Sequence, residues 1–531
     1  MLAAPLAAVF PSAGDLTAES DSAADFAPLR PLDLSFCQSE VAELTGNEIA
    51  RLNGVVLDAS IADLSSLMES GDLTSYALTR YYLHRIQRYD RGQLNAVMEI
   101  NPLALDVAAS RDADRAAGHI AGRLHGIPVL LKDNIGTAPY LHTTVGAAAL
   151  QMSASGRDAF LVNLLIEAGA VILGKTNLTE WANWMHYTPA NGFSAVGGQV
   201  VSPYLDWLDP SGSSTGSAVA ITAGFAPLAI GTETVGSIIS PSGRSGVVGF
   251  KPSLGLISRD MVVPITEEID SPGPMALTVA DVALAMNVLA GSGDLGDARS
   301  ADASSLIGAD FTSGLNVEQL QGKRVGIVAI DPALTEADQI ALYALDDDIA
   351  ALTMAGAEVF FVYPDEFPAQ DLDTLFASCM RLGVDAYLAT IDAEFASLAE
   401  ITDFNRKHPE VVPYGQERLL DSVRSTLTGE ETEALGEEIR QASRSWLDEL
   451  FATSGADLLL SIDDLFSLQY CMAGCPAINV PRGVTSDGVP TGLTFIGPYL
   501  SDVQLLGAAY AFEQTARRRV PPPLVASILD A

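Results

Sequence analysis

Ser217-Ala-Val-Ala-Ile-Thr-Ala-Gly224, followed after two residues by Pro227-Leu-Ala-Ile230, decides the fold. The first run reads as a helix of small residues, and the second is a short apolar run of strand character. The same alternation extends outward on both sides. Upstream, residues 127–131 and 170–173 read as strands around a helix over 158–168. Downstream, 324–329 and 358–362 bracket a helix over 336–355, and the runs at 457–461, 477–480 and 492–496 lead into a closing helix over 502–515. Strands separated by helices pair in parallel and are covered on both faces. The expectation is therefore α/β: a large mixed, mostly parallel sheet flanked by helices.

Residues 1–50 are polar, rich in Ala, Asp and Ser, and only weakly periodic. Residues 1–60 are thus expected to form an arm held loosely on a body of residues 61–531. Thr74 reads as the N-cap of a helix running to Tyr89, because Leu78, Tyr82 and Ile86 recur every four residues. A second helix is expected over 102–118. Residues 365–455 are mostly helical in pattern and more polar, which reads as a lobe over one edge of the sheet. There is no repeat of 20–50 residues and no Pro- or Ser-rich linker, so the body is one large domain.

The chain has 531 residues, 48% apolar and 18% charged, which excludes disorder, collagen-like repeats and coiled coil. No apolar run reaches the roughly 18–20 residues of a membrane span, so no membrane partner is expected. The balance of 29 basic against 67 acidic residues, a net charge of −38, repels a phosphate backbone, and nucleic acid is not expected either. Only five lysines occur. An acid-rich, Lys-poor surface fits both a saline habitat and ordinary acidic solubilisation. Four cysteines cannot make a disulfide scaffold at this size, and Cys471 and Cys475 lack further zinc ligands nearby. Met1-Leu-Ala-Ala-Pro-Leu-Ala-Ala-Val-Phe10 resembles a signal-peptide apolar region without its basic leader. Compartment stays open: cytoplasmic, or periplasmic or secreted if a signal has been trimmed.

No two of the six histidines have metal-site spacing, so a metal-dependent hydrolase is not expected. A G-x-S-x-G pattern occurs as Gly212-Ser-Ser-Thr-Gly216, but a Gly/Ser loop and not a strand precedes it, which argues against a His-based triad. Any activated serine must then give its proton to something other than histidine. Two loops stand out: Ser211-Gly-Ser-Ser-Thr-Gly-Ser217 and Gly231-Thr-Glu-Thr-Val-Gly-Ser237. Gly with hydroxyl residues permits sharp turns whose backbone N–H groups converge on an anion, although one such loop alone is more simply a turn. Here two lie 24 residues apart. In addition, Lys132 ends the apolar run Val129-Leu-Leu-Lys132, where a buried lysine is costly unless it has partners or is neutral.

These residues resemble the amidase signature hydrolases. The resemblance spans about residues 61–515 and is carried by His125-Gly-Ile-Pro-Val-Leu-Leu-Lys-Asp-Asn134, Gly174-Lys-Thr-Asn-Leu-Thr-Glu-Trp181, the two loops, and Gly246-Val-Val-Gly-Phe-Lys-Pro252. It implies an amidase signature fold and a Ser-cis-Ser-Lys triad of Lys132, Ser213 as the cis-peptide serine and Ser237 as nucleophile. It also implies an oxyanion hole from the backbone of Thr234, Val235, Gly236 and Ser237, with Ser214 supporting Lys132, and neither metal nor organic cofactor. A lysine acts as base only when neutral, so work near pH 7 asks for a depression of about three units, roughly 4 kcal/mol.

The chain departs from the common family pattern, with Ser211-Gly-Ser-Ser-Thr-Gly-Ser217 at the first loop and Val235-Gly-Ser-Ile-Ile239 at the second. Gly231–Ile238, Ser271-Pro-Gly-Pro-Met275 and Pro413-Tyr-Gly-Gln416 are more similar to the peptide-amidase-like branch than to the amidotransferase subunits. A short passage after Leu460 implies either an open cleft for bulky amides or another loop in its place. Trp184, Met185, His186 and Tyr187, which follow the Trp181 motif, are candidate pocket walls; core packing is the rival reading for Trp184 and Met185. The resemblance implies a small-molecule amide substrate of aryl, peptide or other bulky type, with esters and carbamates as extensions, in a monomer or homodimer. Two alternatives stay open: the glutaminase subunit of an amidotransferase, and a catalytically silent binding protein.

Overall fold

The computed structural model describes residues 28–138, 140–188, 190–290, 294, 296–329, 331 and 333–529. Apolar runs that cannot satisfy their own backbone in a buried setting pair with one another, and here eleven of them pair in one sheet. In chain order these are β1 (Val97–Ile100), β2 (Pro128–Lys132), β3 (Val171–Thr176), β4 (Leu228–Glu233), β5 (Val248–Lys251) and β6 (Ser271–Ala276), then β7 (Arg324–Val328), β8 (Glu358–Val362), β9 (Leu458–Ile462), β10 (Ala477–Val484) and β11 (Pro490–Ile496). Across the sheet the order is β1-β3-β2-β4-β6-β5-β10-β11-β9-β7-β8. Every residue of β2, β3 and β4 is buried, as expected for strands covered on both faces.

The sheet is mixed and flanked by helices, but it is not mostly parallel. The pairs β2–β3, β2–β4, β7–β9 and β7–β8 are parallel, whereas β1–β3, β4–β6, β5–β6, β5–β10, β10–β11 and β9–β11 are antiparallel. Antiparallel neighbours need no helical crossover, and β10 and β11 are joined by residues 485–489 alone. β6 carries two prolines in six residues and lies inside the sheet, opposite β4 with Pro272 facing Thr232 and Pro274 facing Ile230. Proline argues against a central strand.

Helix α1 (Ser75–Arg85) begins as expected, with the Thr74 hydroxyl accepting the Ala77 N–H at 3.0 Å. Past Arg85 the chain continues in wider, π-type turns over Ile86–Leu94. Helix α2 (Phe160–Glu167) and helix α3 (Thr215–Thr222) pack behind the sheet; every residue of α3 is buried. Its small side chains allow that depth. A Cβ on Gly216 would run into the carbonyls of Ala96 and Asn177. Residues 372–454 form the helices α4 (Leu372–Ala389), α5 (Leu398–Lys407), α6 (Glu417–Arg424) and α7 (Gly429–Ser454).

Two other expectations are corrected. The helix predicted over 336–355 is broken into Glu336–Tyr343 and Asp346–Met354 by Ala344 in the left-handed region, φ 50°. The break lets Asp348 turn inward to Arg482 and Arg518. Residues 28–60 are not loosely held: Leu32, Leu34, Cys37, Val41, Leu52 and Val56 are buried, each worth roughly 1.5–3 kcal/mol. Leu29 and Arg30 donate backbone hydrogen bonds to Ala195 and Val196. The signal-like Met1–Phe10 run lies outside the described residues. No helix among the described residues is long and apolar enough to cross a membrane.

Candidate active site

Lys132 closes β2 and is fully buried. Its Nζ lies 2.7 Å from Ser213 Oγ, 2.9 Å from Thr232 Oγ1 and 3.2 Å from the Thr232 carbonyl oxygen on neighbouring β4. Burial pushes the amine down to about 7, against the opposing pull of the Asp270 and Glu233 carboxylates. Asn134 donates to the same Thr232 hydroxyl at 3.0 Å. Asp270, itself raised to about 6 by burial, accepts from the Thr234 hydroxyl at 2.6 Å and from the backbone of Ile265 and Thr266.

The first Gly/Ser loop leads into α3, which returns the chain to β4. The Gly212–Ser213 peptide is cis. Thr179 anchors it from the other side: its N–H donates to the Ser213 carbonyl at 3.1 Å, and its side chain fills the space that a Cβ on Gly212 would need. The two loops are tied together where the Ser214 N–H donates to the Ser237 carbonyl at 3.1 Å. The Ser214 hydroxyl donates to the Thr232 carbonyl at 3.0 Å and accepts the Thr232 N–H at 3.1 Å. Ser214 therefore reaches Lys132 through Thr232 and not directly.

The second loop protrudes beyond β4 and is closed at its base by Glu233. One carboxylate oxygen accepts the N–H groups of Ile238 and Ile239 at 2.6 and 2.8 Å, and the other accepts from the Tyr470 hydroxyl and the Cys471 thiol, both at 3.2 Å. Within the loop, the N–H groups of Thr234, Val235, Gly236 and Ser237 donate to no protein oxygen among the described residues. Gly236 has φ 78°, which glycine adopts without strain. The Ser237 side chain is 7% exposed, and its hydroxyl makes no hydrogen bond to a described residue. The structure thus joins Lys132 to Ser213 directly and brings Ser237 alongside through the loop backbone.

The four candidate wall residues divide. Trp184 is core: it packs edge-on against Phe376 at 5.3 Å, and its indole N–H donates to Ser422 at 3.0 Å. Tyr187 is half exposed and donates to Asp421 at 2.8 Å. Met185 and His186 instead line a narrow cleft with Thr179, Glu180, Phe193 and Tyr414. Sequence reasoning gave no individual role to Thr232, Glu233 or Thr179, although the quoted motifs contain them, and it missed Asp270. Each has only a weak signal there, a polar residue at the end of an apolar run or beside a Gly/Pro turn.

A family model described as Amidase matches residues 77–506. A probable amidase from Arabidopsis thaliana is 36% identical over 485 residues, covering 89% of this chain and 92% of that protein. The crystal structure of native peptide amidase from Stenotrophomonas maltophilia superposes with a TM-score of 0.81 at 39% identity, covering 87% of this chain and 98% of that one. A glutamyl-tRNA(Gln) amidotransferase subunit from a Synechococcus strain is 29% identical over 495 residues, covering 86% of this chain and 97% of that protein.

Proposed function

The chain belongs to the amidase family and is an amide hydrolase, and we propose that it works through a seryl acyl-enzyme formed on Ser237, with Ser213 as relay and Lys132 as base. The contact that carries this reading is the 2.7 Å approach of a fully buried Lys132 amine to Ser213 Oγ. A neutral amine has two hydrogens and one lone pair. The Thr232 carbonyl can only accept, and the Thr232 hydroxyl accepts from Asn134 in the same pocket, so the two hydrogens have places to go and the lone pair is left for the Ser213 O–H.

Ser237 Oγ then attacks the substrate carbonyl carbon as its proton passes to Ser213, whose own proton passes to Lys132. The new C–O bond leaves a negative oxygen for the N–H groups of residues 234–237, each such donor being worth about 3 kcal/mol. As the C–N bond breaks, the proton returns along the same path to the leaving nitrogen. Water enters by the reverse sequence and releases the acid. Esters form the same intermediate with an easier leaving group, and carbamates extend it; aryl, peptide and other bulky amides are the proposed substrates.

A second reading, the glutaminase subunit of an amidotransferase, draws on the similarity to the glutamyl-tRNA(Gln) amidotransferase subunit. A net charge of −38 fits poorly with a partner that works on tRNA. Hydrolysis by the purified chain alone separates the two. Intact-mass analysis with a fluorophosphonate tests the nucleophile: one adduct is expected, mapped to Ser237 and lost in Ser237→Ala. Near-normal turnover by that variant overturns the assignment.

A further inference from the structure

The proposed relay crosses between two loops. Ser213 Oγ, on the first, is held by Lys132 at 2.7 Å, whereas the Ser237 hydroxyl on the second makes no hydrogen bond to a described residue. Proton transfer between the two serines therefore depends on how firmly the loops are held together. One tie is the backbone bond from the Ser214 N–H to the Ser237 carbonyl. A second joins the flanks: Ser211, two residues before Ser213, and Ser240, three after Ser237, bring their Oγ atoms to 2.6 Å. Ser240 belongs to the turn that presents Ser237, since its N–H donates to the Gly236 carbonyl at 2.7 Å.

Asp464 sets the direction of that bond. Its carboxylate lies over the same turn, 3.3 Å from where a Cβ on Gly236 would stand, and accepts from the Ser240 hydroxyl. Burial raises Asp464 above the ordinary carboxylate value, and the Ser240 bond opposes that rise. A hydroxyl has one proton to give. Ser240 gives its proton to Asp464, so its oxygen accepts from Ser211. The bond is separate from what shapes the first loop, because the Ser211 N–H donates to Asp209 Oδ1 at 2.7 Å and its carbonyl accepts the Thr215 hydroxyl at 2.6 Å. We propose that Ser211 and Ser240 are positioning residues of the relay, joined in a side-chain staple that keeps Ser213 within reach of Ser237. This rests on Ser237 being the acylated residue and Ser213 its relay.

The test follows labelling of Ser237 in the full chain by a fluorophosphonate, read by intact mass over a range of probe concentrations. The limiting rate reports activation of the hydroxyl, and the half-saturating concentration reports binding of the probe. Ser211 has φ 62°, a conformation that glycine adopts without strain, so Ser211→Gly removes the hydroxyl with little reason to misfold. A misplacement of 1 Å can cost about a hundredfold in rate, and losing one of two ties is expected to cost about tenfold. Ser211→Gly and Ser240→Ala should therefore each lower the limiting rate about tenfold, with the half-saturating concentration within about twofold. Because the two hydroxyls act through one bond, the double variant should again be about tenfold slower than wild type, where independent effects would give about a hundredfold. An unchanged limiting rate in Ser211→Gly, or a loss confined to its half-saturating concentration, overturns the staple. So does a double variant slowed about a hundredfold. Failure of wild type to label at Ser237 overturns the underlying mechanism instead, so the two failures are distinct.

Discussion

Replacing Lys132 by methionine should remove activity and change how stability depends on pH. The amine titrates near 7 in the folded protein against 10.5 as an ordinary lysine. At pH 7 about half of it is neutral, whereas a solvated lysine would be neutral in roughly three molecules per ten thousand, a ratio of about 1,600 in usable base. Wild-type kcat/KM should therefore climb about tenfold between pH 6 and 8 and level off above. The same shift is a stability statement. Between about 7 and 10.5 the unfolded chain carries a proton at this site that the folded chain does not, so unfolding becomes harder as pH rises across that window. One proton corresponds to about 1.4 kcal/mol per pH unit, and the whole window to on the order of 5 kcal/mol. Lys132→Met lacks this gain. Urea denaturation of both proteins at pH 7, 8 and 9 should show wild type gaining on the variant by about 1.4 kcal/mol per unit, with the variant relatively favoured at pH 7. Parallel stability curves, or a pH–rate profile still rising steeply at pH 9, would refute a buried neutral amine.

Two further substitutions probe the groups around that amine. Asp270→Asn removes a negative charge that holds the lysine proton on, so the midpoint of the pH–rate profile should move below the wild-type value, an effect that a purely structural role would not produce. Glu233→Gln replaces an acceptor pair that holds two backbone N–H groups, a phenol and a thiol; kcat is expected to fall about 10–100-fold with KM within about twofold, measured by steady-state kinetics. An unchanged kcat would show that the loop keeps its shape without Glu233.

The positions to which the proposed mechanism gives unusual chemistry stood out in the sequence because they break local rules. Lys132 terminates a run of apolar strand residues where only a partnered or neutral amine survives, and the two Gly/Ser loops have more turn capacity than connections need. Strand and helix positions near them were readable for the same local reason: apolar periodicity survives in a short window. What surrounded them was not. Thr232, Asp270 and Asn134 look like ordinary polar residues until strand pairing sets β2 beside β4 and folds the loop before β6 over the lysine.

By itself the sequence determined the alternation of helices and strands, since that depends on side-chain chemistry within a few neighbours, while Lys132, Ser213 and Ser237 were picked out by the resemblance to the amidase signature hydrolases. The tertiary structure alone decided that six of the ten strand pairs in the eleven-stranded sheet run antiparallel, that a strand with two prolines sits inside that sheet, and that the polypeptide of residues 28–60 is built into the core. It alone turned Trp184 towards α4 while leaving Met185 and His186 at the cleft. These outcomes depend on contacts between residues tens to hundreds of positions apart. Such contacts are chosen by which combination of faces excludes the most water and leaves the fewest backbone groups unpaired, a comparison that no local window of sequence contains.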